Sequence, residues 1–141
     1  MIARRAFVLA GAALVAVPPV ARATPEEVAS IMKEILGGAA PKDGRVKLDI
    51  PAMVENGNAV GLTVGVEEAT PRCTDLYVLA ERNPLPRVLH ATFGPAAGRT
   101  QLATRMRLAT SQRVIALARL EDGSFWTDSV DLVVTLAACL E

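Results

Sequence analysis

The sequence predicts an all-β protein, an antiparallel β-sandwich preceded by one short helix. Two patterns point there. From Arg45 onward, apolar and polar residues alternate in short runs, the period of a strand with one buried face. Between the runs stand turn-forming clusters, among them Asn56-Gly57-Asn58, Asn83-Pro84-Leu85-Pro86, Gly94-Pro95 and Asp122-Gly123. Seven or eight short strands punctuated in this way suit two packed sheets. No repeat, low-complexity tract or internal linker divides them, so one domain is expected.

The chain opens with Met1-Ile2-Ala3-Arg4-Arg5-Ala6-Phe7-Val8-Leu9, followed by an apolar stretch to Val20 and Ala21-Arg22-Ala23. A basic start, a hydrophobic middle and a small-x-small site read as a signal peptide over residues 1–23, cut after Ala23. The paired arginines suggest the twin-arginine export route. No membrane anchor is expected, because the apolar run is shorter than the ~20 residues a span needs and Pro18-Pro19 interrupts it. The domain then covers residues 24–141.

Thr24-Pro25-Glu26-Glu27 is a helix start, with a hydroxyl cap, proline at the first turn and a glutamate answering the cap. Val28, Ile31, Met32, Ile35 and Leu36 make one apolar face, and Gly37-Gly38 stops the helix. Strands follow at Val46–Ile50, Leu62–Val66, Leu76–Ala80, Leu89–Phe93, Leu102–Leu108 and Val114–Leu120. Phe125-Trp126 and a terminal strand from Val130 complete the set. Asn56-Gly57 is expected to turn through positive φ.

Without the leader, 12 basic residues face 15 acidic ones, a net charge of −3. No basic stripe with interleaved aromatics is present, so nucleic acid is not an expected partner. His90 is the single histidine and shares a strand face with Val88 and Thr92, the position of an exposed strand residue. One histidine and two distant cysteines cannot assemble the usual zinc ligand set, and no cofactor is expected. His90, Asp131 and Cys139 lack the nucleophile elbow or helix start of a catalytic constellation, so no catalytic residue is assigned. No glycine-rich phosphate cradle occurs. Arg105 and Arg107, with Arg99 and Arg113 nearby in sequence, read either as an anion- or partner-facing patch or as a solvated strand face, and the second reading is preferred. Phe125-Trp126 reads as core or interface packing.

Cys139, two residues from the end, is the residue that carries chemistry. A thiol beyond the last strand can reach away from the domain. Two other states stay open: a small buried residue, and a disulfide to Cys73. That bridge would close a loop of 66 residues, worth about 4 kcal/mol by chain entropy, but nothing in the sequence places Cys73 beside the terminus.

Asn83-Pro84-Leu85-Pro86, Thr104-Arg105-Met106-Arg107-Leu108-Ala109-Thr110-Ser111-Gln112, Asp122-Gly123-Ser124-Phe125-Trp126 and Val134-Thr135-Leu136 resemble the SoxY family, the sulfur-carrier subunits of periplasmic thiosulfate oxidation. Leu48-Asp49-Ile50-Pro51 and Glu55-Asn56-Gly57 fit as well. The resemblance implies an immunoglobulin-like sandwich in the periplasm, paired with a SoxZ-like subunit as a heterodimer. It implies a carrier, not an enzyme. Thiosulfate would be joined oxidatively to Cys139 by a c-type cytochrome enzyme, and separate enzymes would process the bound sulfur. In the family the cysteine stands in a Gly-Gly-Cys-Gly-Gly arm. Here Ala137 and Ala138 precede it, and Leu140 and Glu141 follow. Alanine narrows backbone freedom, lets the final strand continue and shortens the reach. Glu141 and the terminal carboxylate disfavour a thiolate and repel an anion. A divergent binding or scaffold module without the swinging arm is the alternative.

Overall fold

The computed structural model describes residues 22–139. The expected leader, apart from Arg22 and Ala23, lies outside the described residues, as do the expected arm residues Leu140 and Glu141. Helix α1 (Pro25–Leu36) is capped as its sequence demands. Thr24 Oγ1 accepts from the Glu27 N–H at 3.2 Å, and the Glu27 carboxylate accepts from the Thr24 N–H at 2.9 Å. Gly37, at φ 58°, closes the helix in the left-handed region.

Among the described residues nine strands follow: β1 (Lys42–Asp43), β2 (Val46–Asp49), β3 (Met53–Asn56), β4 (Val60–Val66), β5 (Cys73–Ala80), β6 (Arg87–Thr92), β7 (Gln101–Met106), β8 (Gln112–Leu120) and β9 (Phe125–Leu136). One sheet has the order β1-β9-β8-β5-β6, with β3 also paired to β9, and the other is β2-β4-β7. The inward faces meet in a core that includes Val64, Leu76, Val78, Leu108, Val114, Ala116 and Leu120. This is the immunoglobulin-like sandwich expected. On the outer face of the larger sheet, Ile31, Met32, Ile35 and Leu36 of α1 pack on Leu79, Ile115 and Leu117. Among the described residues no helix is long and apolar enough to cross a membrane.

Two features were not legible in the sequence. Phe125 to Leu136 is one strand of 12 residues, although Thr127, Asp128 and Ser129 interrupt its apolar pattern. These polar residues are tied in place: Asp128 Oδ2 accepts from the Leu48 N–H at 2.8 Å, and Thr127 Oγ1 donates to Ala116 O at 3.0 Å. The main ladders are antiparallel, but β1 and β3 run parallel to β9 along the edge that β8 leaves open. They cover an edge that would otherwise be free to pair with another chain.

Candidate functional site

The position of Cys139 is decided past the last pairing of β9 with β8, at Gln112↔Leu132. Beyond it, loop residues take over the ladder. Ser111 Oγ accepts from the Val134 N–H at 2.9 Å and donates to Val134 O at 3.4 Å. Leu136 O accepts from the Gly57 N–H at 2.7 Å, and the Ala138 N–H donates to Leu108 O at 3.0 Å. Hydrogen bonds thus recur at alternate residues, 134, 136 and 138. Ala137 is exposed, Ala138 is buried, and the free thiol of Cys139 is exposed one residue later.

Gly57 makes this path possible. A Cβ there would stand 2.5 Å from Leu108 O, 3.0 Å from Ala138 N and 3.2 Å from Leu136 O. The left-handed glycines are Gly37, Gly38, Gly44 and Gly123, so the expected positive φ at Gly57 is not found. Glycine is required at this turn for close backbone approach. Both of its peptide groups are used, since Gly57 O also accepts from the Leu108 N–H at 2.9 Å.

Leu108 is fixed in turn by a buried amide pair. Asn83 is 6% exposed; its Nδ2 donates to Arg107 O at 2.8 Å and its Oδ1 accepts from the Ala109 N–H at 3.0 Å. The Gln112 side chain donates to Asn83 Oδ1 at 2.9 Å and to Thr110 O at 3.0 Å, and accepts from the Arg82 N–H at 2.8 Å. Asn83 therefore spans both peptide neighbours of Leu108, and Gln112 holds Asn83 in place. A continuous set of hydrogen bonds runs from Asn83 through Leu108 to Ala138. Sequence reasoning singled out the motifs holding Asn83, Leu108, Ser111 and Gln112 but not what they hold. Asn83 and Gln112 are separated by 29 positions, and no local pattern reveals that their amides meet.

Cys73 is at the other end of the sheet, paired with Leu120 at the far end of β8 from Gln112. The eight-residue span from Gln112 to Leu120 corresponds to about 26 Å at ~3.3 Å per residue. Both thiols are free, and a disulfide needs Cα atoms within about 7 Å. Burial pushes the Cys73 thiol up to about 11, and the thiol donates to Asp75 O at 3.3 Å. Cys73 is a protonated, buried thiol, and Cys139 is the accessible one.

The other candidates do not converge on Cys139. His90 is an exposed strand residue, stacked on Tyr77 at 4.3 Å between centroids and 3.0 Å from Asp75 Oδ1. Burial raises the Asp75 carboxyl, but hydrogen bonds from His90, Thr74 and Thr92 outweigh it and hold the group below its ordinary value. The four arginines form no patch. Arg99 pairs with Glu68 at 3.4 Å, and Arg113 pairs with Asp131 on the other sheet. Arg105 and Arg107 are exposed. Phe125 is buried, and half-buried Trp126 lies under Lys42 and Arg45. Among the described residues no group of three or more His, Cys, Asp or Glu side chains could hold a metal ion.

The fold and site define a small β-sandwich with a single accessible thiol at the root of its terminus. The family model of the sulfur oxidation protein SoxY matches residues 32–139, and the chain belongs to that family. Among solved structures it is similar to the sulfur carrier protein SoxY from Chlorobium limicola f thiosulfatophilum, at 19% identity and a TM-score of 0.67, over 79% of this chain and 98% of that one. It is also similar to superoxide reductase (neelaredoxin) from Ignicoccus hospitalis, at 17% identity and a TM-score of 0.54, over 79% and 94% of the two chains. At these identities the structural likenesses show the fold. No curated protein matches the chain in sequence.

Proposed function

We propose that this protein is a periplasmic sulfur carrier that holds thiosulfate-derived intermediates covalently on Cys139. The observation that carries the reading is a free, exposed thiol immediately after the hydrogen-bonded Ala138, in a member of the SoxY family. Loading forms a sulfur–sulfur bond between Cys139 Sγ and the outer sulfur of thiosulfate. The thiol proton goes to solvent, and two electrons pass to a c-type cytochrome enzyme. Water then cleaves the bond to the sulfonate group, which leaves as sulfate, and the outer sulfur stays on Cys139 as a protonated persulfide. The carrier contributes no acid, base or metal to either step; its part is presentation.

The reading includes a SoxZ-like partner in a heterodimer. A partner has an apolar edge to use: Met53 and Val133, register partners across β3 and β9, and Leu136 are well exposed. Replacing Met53 and Val133 together by aspartate is expected to abolish co-elution with that partner, and unchanged co-elution contradicts this choice of edge.

Thiosulfate-dependent reduction of the cytochrome tests the carrier role. Cys139→Ser is expected to abolish it and Cys73→Ala to leave it intact; reduction that survives Cys139→Ser overturns the reading. A second reading, a binding or scaffold module without the arm, draws on the pinned Ala138. It requires that replacing Ala137 and Ala138 by glycine create activity absent from the natural sequence.

A further inference from the structure

We propose that Gly57 and Leu108 form a clasp that positions Cys139, so the sulfur is presented at a short, fixed reach; this rests on Cys139 as the attachment site. Three observations converge. The Gly57 turn and Leu108 bond each other and also bond the segment that leads to Cys139, at Leu136 O and the Ala138 N–H. The close approach leaves no room for a side chain at position 57. Leu108 in turn is locked from behind by Asn83, which bonds both of its peptide neighbours and is itself held by Gln112, both side chains being 6% exposed.

The arrangement sets the reach of the thiol. With Ala138 held, Cys139 is a single residue step from the anchor, about 3.6 Å of backbone, against about 11 Å if the chain were free from Leu136 onward. A loading enzyme that serves this carrier therefore receives the thiol near its own surface, with the carrier body docked against it, and not at the end of a deep channel. Gly57 and Leu108 touch no reacting atom and are positioning residues.

The test compares the exported protein, bound to its partner subunit, with Gly57→Ala and Ala138→Pro. Gly57→Ala forces Leu108 O away from Ala138 N, whereas Ala138→Pro deletes the N–H donor itself, two residues beyond the end of β9. The Ala138 amide is expected to be protected from hydrogen exchange in the parent and to lose that protection in Gly57→Ala. Alkylation of Cys139 by iodoacetamide, which needs access alone, is expected to stay within about twofold in both variants. Enzymatic loading with thiosulfate is expected to fall about tenfold to a hundredfold in kcat/KM, as for other reacting groups misplaced by an ångström or so. Ala138→Gly, which keeps the donor, is expected to load like the parent. Loading at or above the parental rate in Ala138→Pro overturns the clasp, and so does an unprotected Ala138 amide in the parent. Adduct formation that persists in Cys139→Ser overturns the carrier reading instead, so the two failures are distinguishable.

Discussion

Asn83→Ala is expected to be among the most destabilising single changes outside the apolar core. The side chain makes three hydrogen bonds, to Arg107 O, the Ala109 N–H and the Gln112 amide, in a position 6% exposed to solvent. At about 1 kcal/mol net for each bond the loss is about 3 kcal/mol, and stranding buried donors and acceptors adds to it. Urea unfolding of the domain, followed by tryptophan fluorescence, measures this as a lower midpoint at unchanged slope. Arg113→Ala, which removes an exposed ion pair with Asp131, is the control and is expected to leave the midpoint where it was. A loss below about 1 kcal/mol in Asn83→Ala would refute the reasoning, because it would mean that water replaces the amide at little cost.

Further outcomes follow from the two thiols. A disulfide-exchange reagent is expected to titrate one thiol in the native protein and two after denaturation without reductant; zero in the denatured monomer would contradict two free cysteines. Cys73 also sets an alkaline limit. The unfolded chain releases its proton near 9.0 and the folded one holds it to about 11, so stability is full below pH 9 and falls through pH 11. The gap corresponds to roughly 3 kcal/mol, and Cys73→Ala is expected to remove that part of the slope; a slope unchanged in the variant contradicts the assignment. At the acid end, Asp75 ionises below its ordinary value in the folded state. Its contribution is present above about pH 4 and is lost as pH falls further, so Asp75→Asn is expected to flatten the acid limb of a thermal-unfolding profile.

The helix and most strands were legible because they are local. Thr24 and Glu27 announce a cap three residues apart, the alternation in Val60–Val66 reports one buried face, and the apolar run in Gln112–Leu120 reports a strand buried on both. The parallel strands β1 and β3 were not legible, since two and four residues carry no period and their partner lies far along the chain. At the site, Cys139 stood out by its place at the end of the chain. Its surroundings did not: Gly57 resembled an ordinary Asn-Gly turn, and only the fold reveals the Leu108 carbonyl where its side chain would be. Likewise, a sequence shows alanines at 137 and 138 but not that the second is buried and bonded.

Peptide mapping after loading addresses the attachment point itself. The carrier and its partner are incubated with thiosulfate and the cytochrome enzyme, digested without reductant, and analysed by tandem mass spectrometry. The added sulfur should be found on the C-terminal peptide, localised to Cys139 and lost on treatment with a thiol. Sulfur found on the Cys73 peptide, or an unmodified Cys139 after the cytochrome has been reduced, would contradict the account.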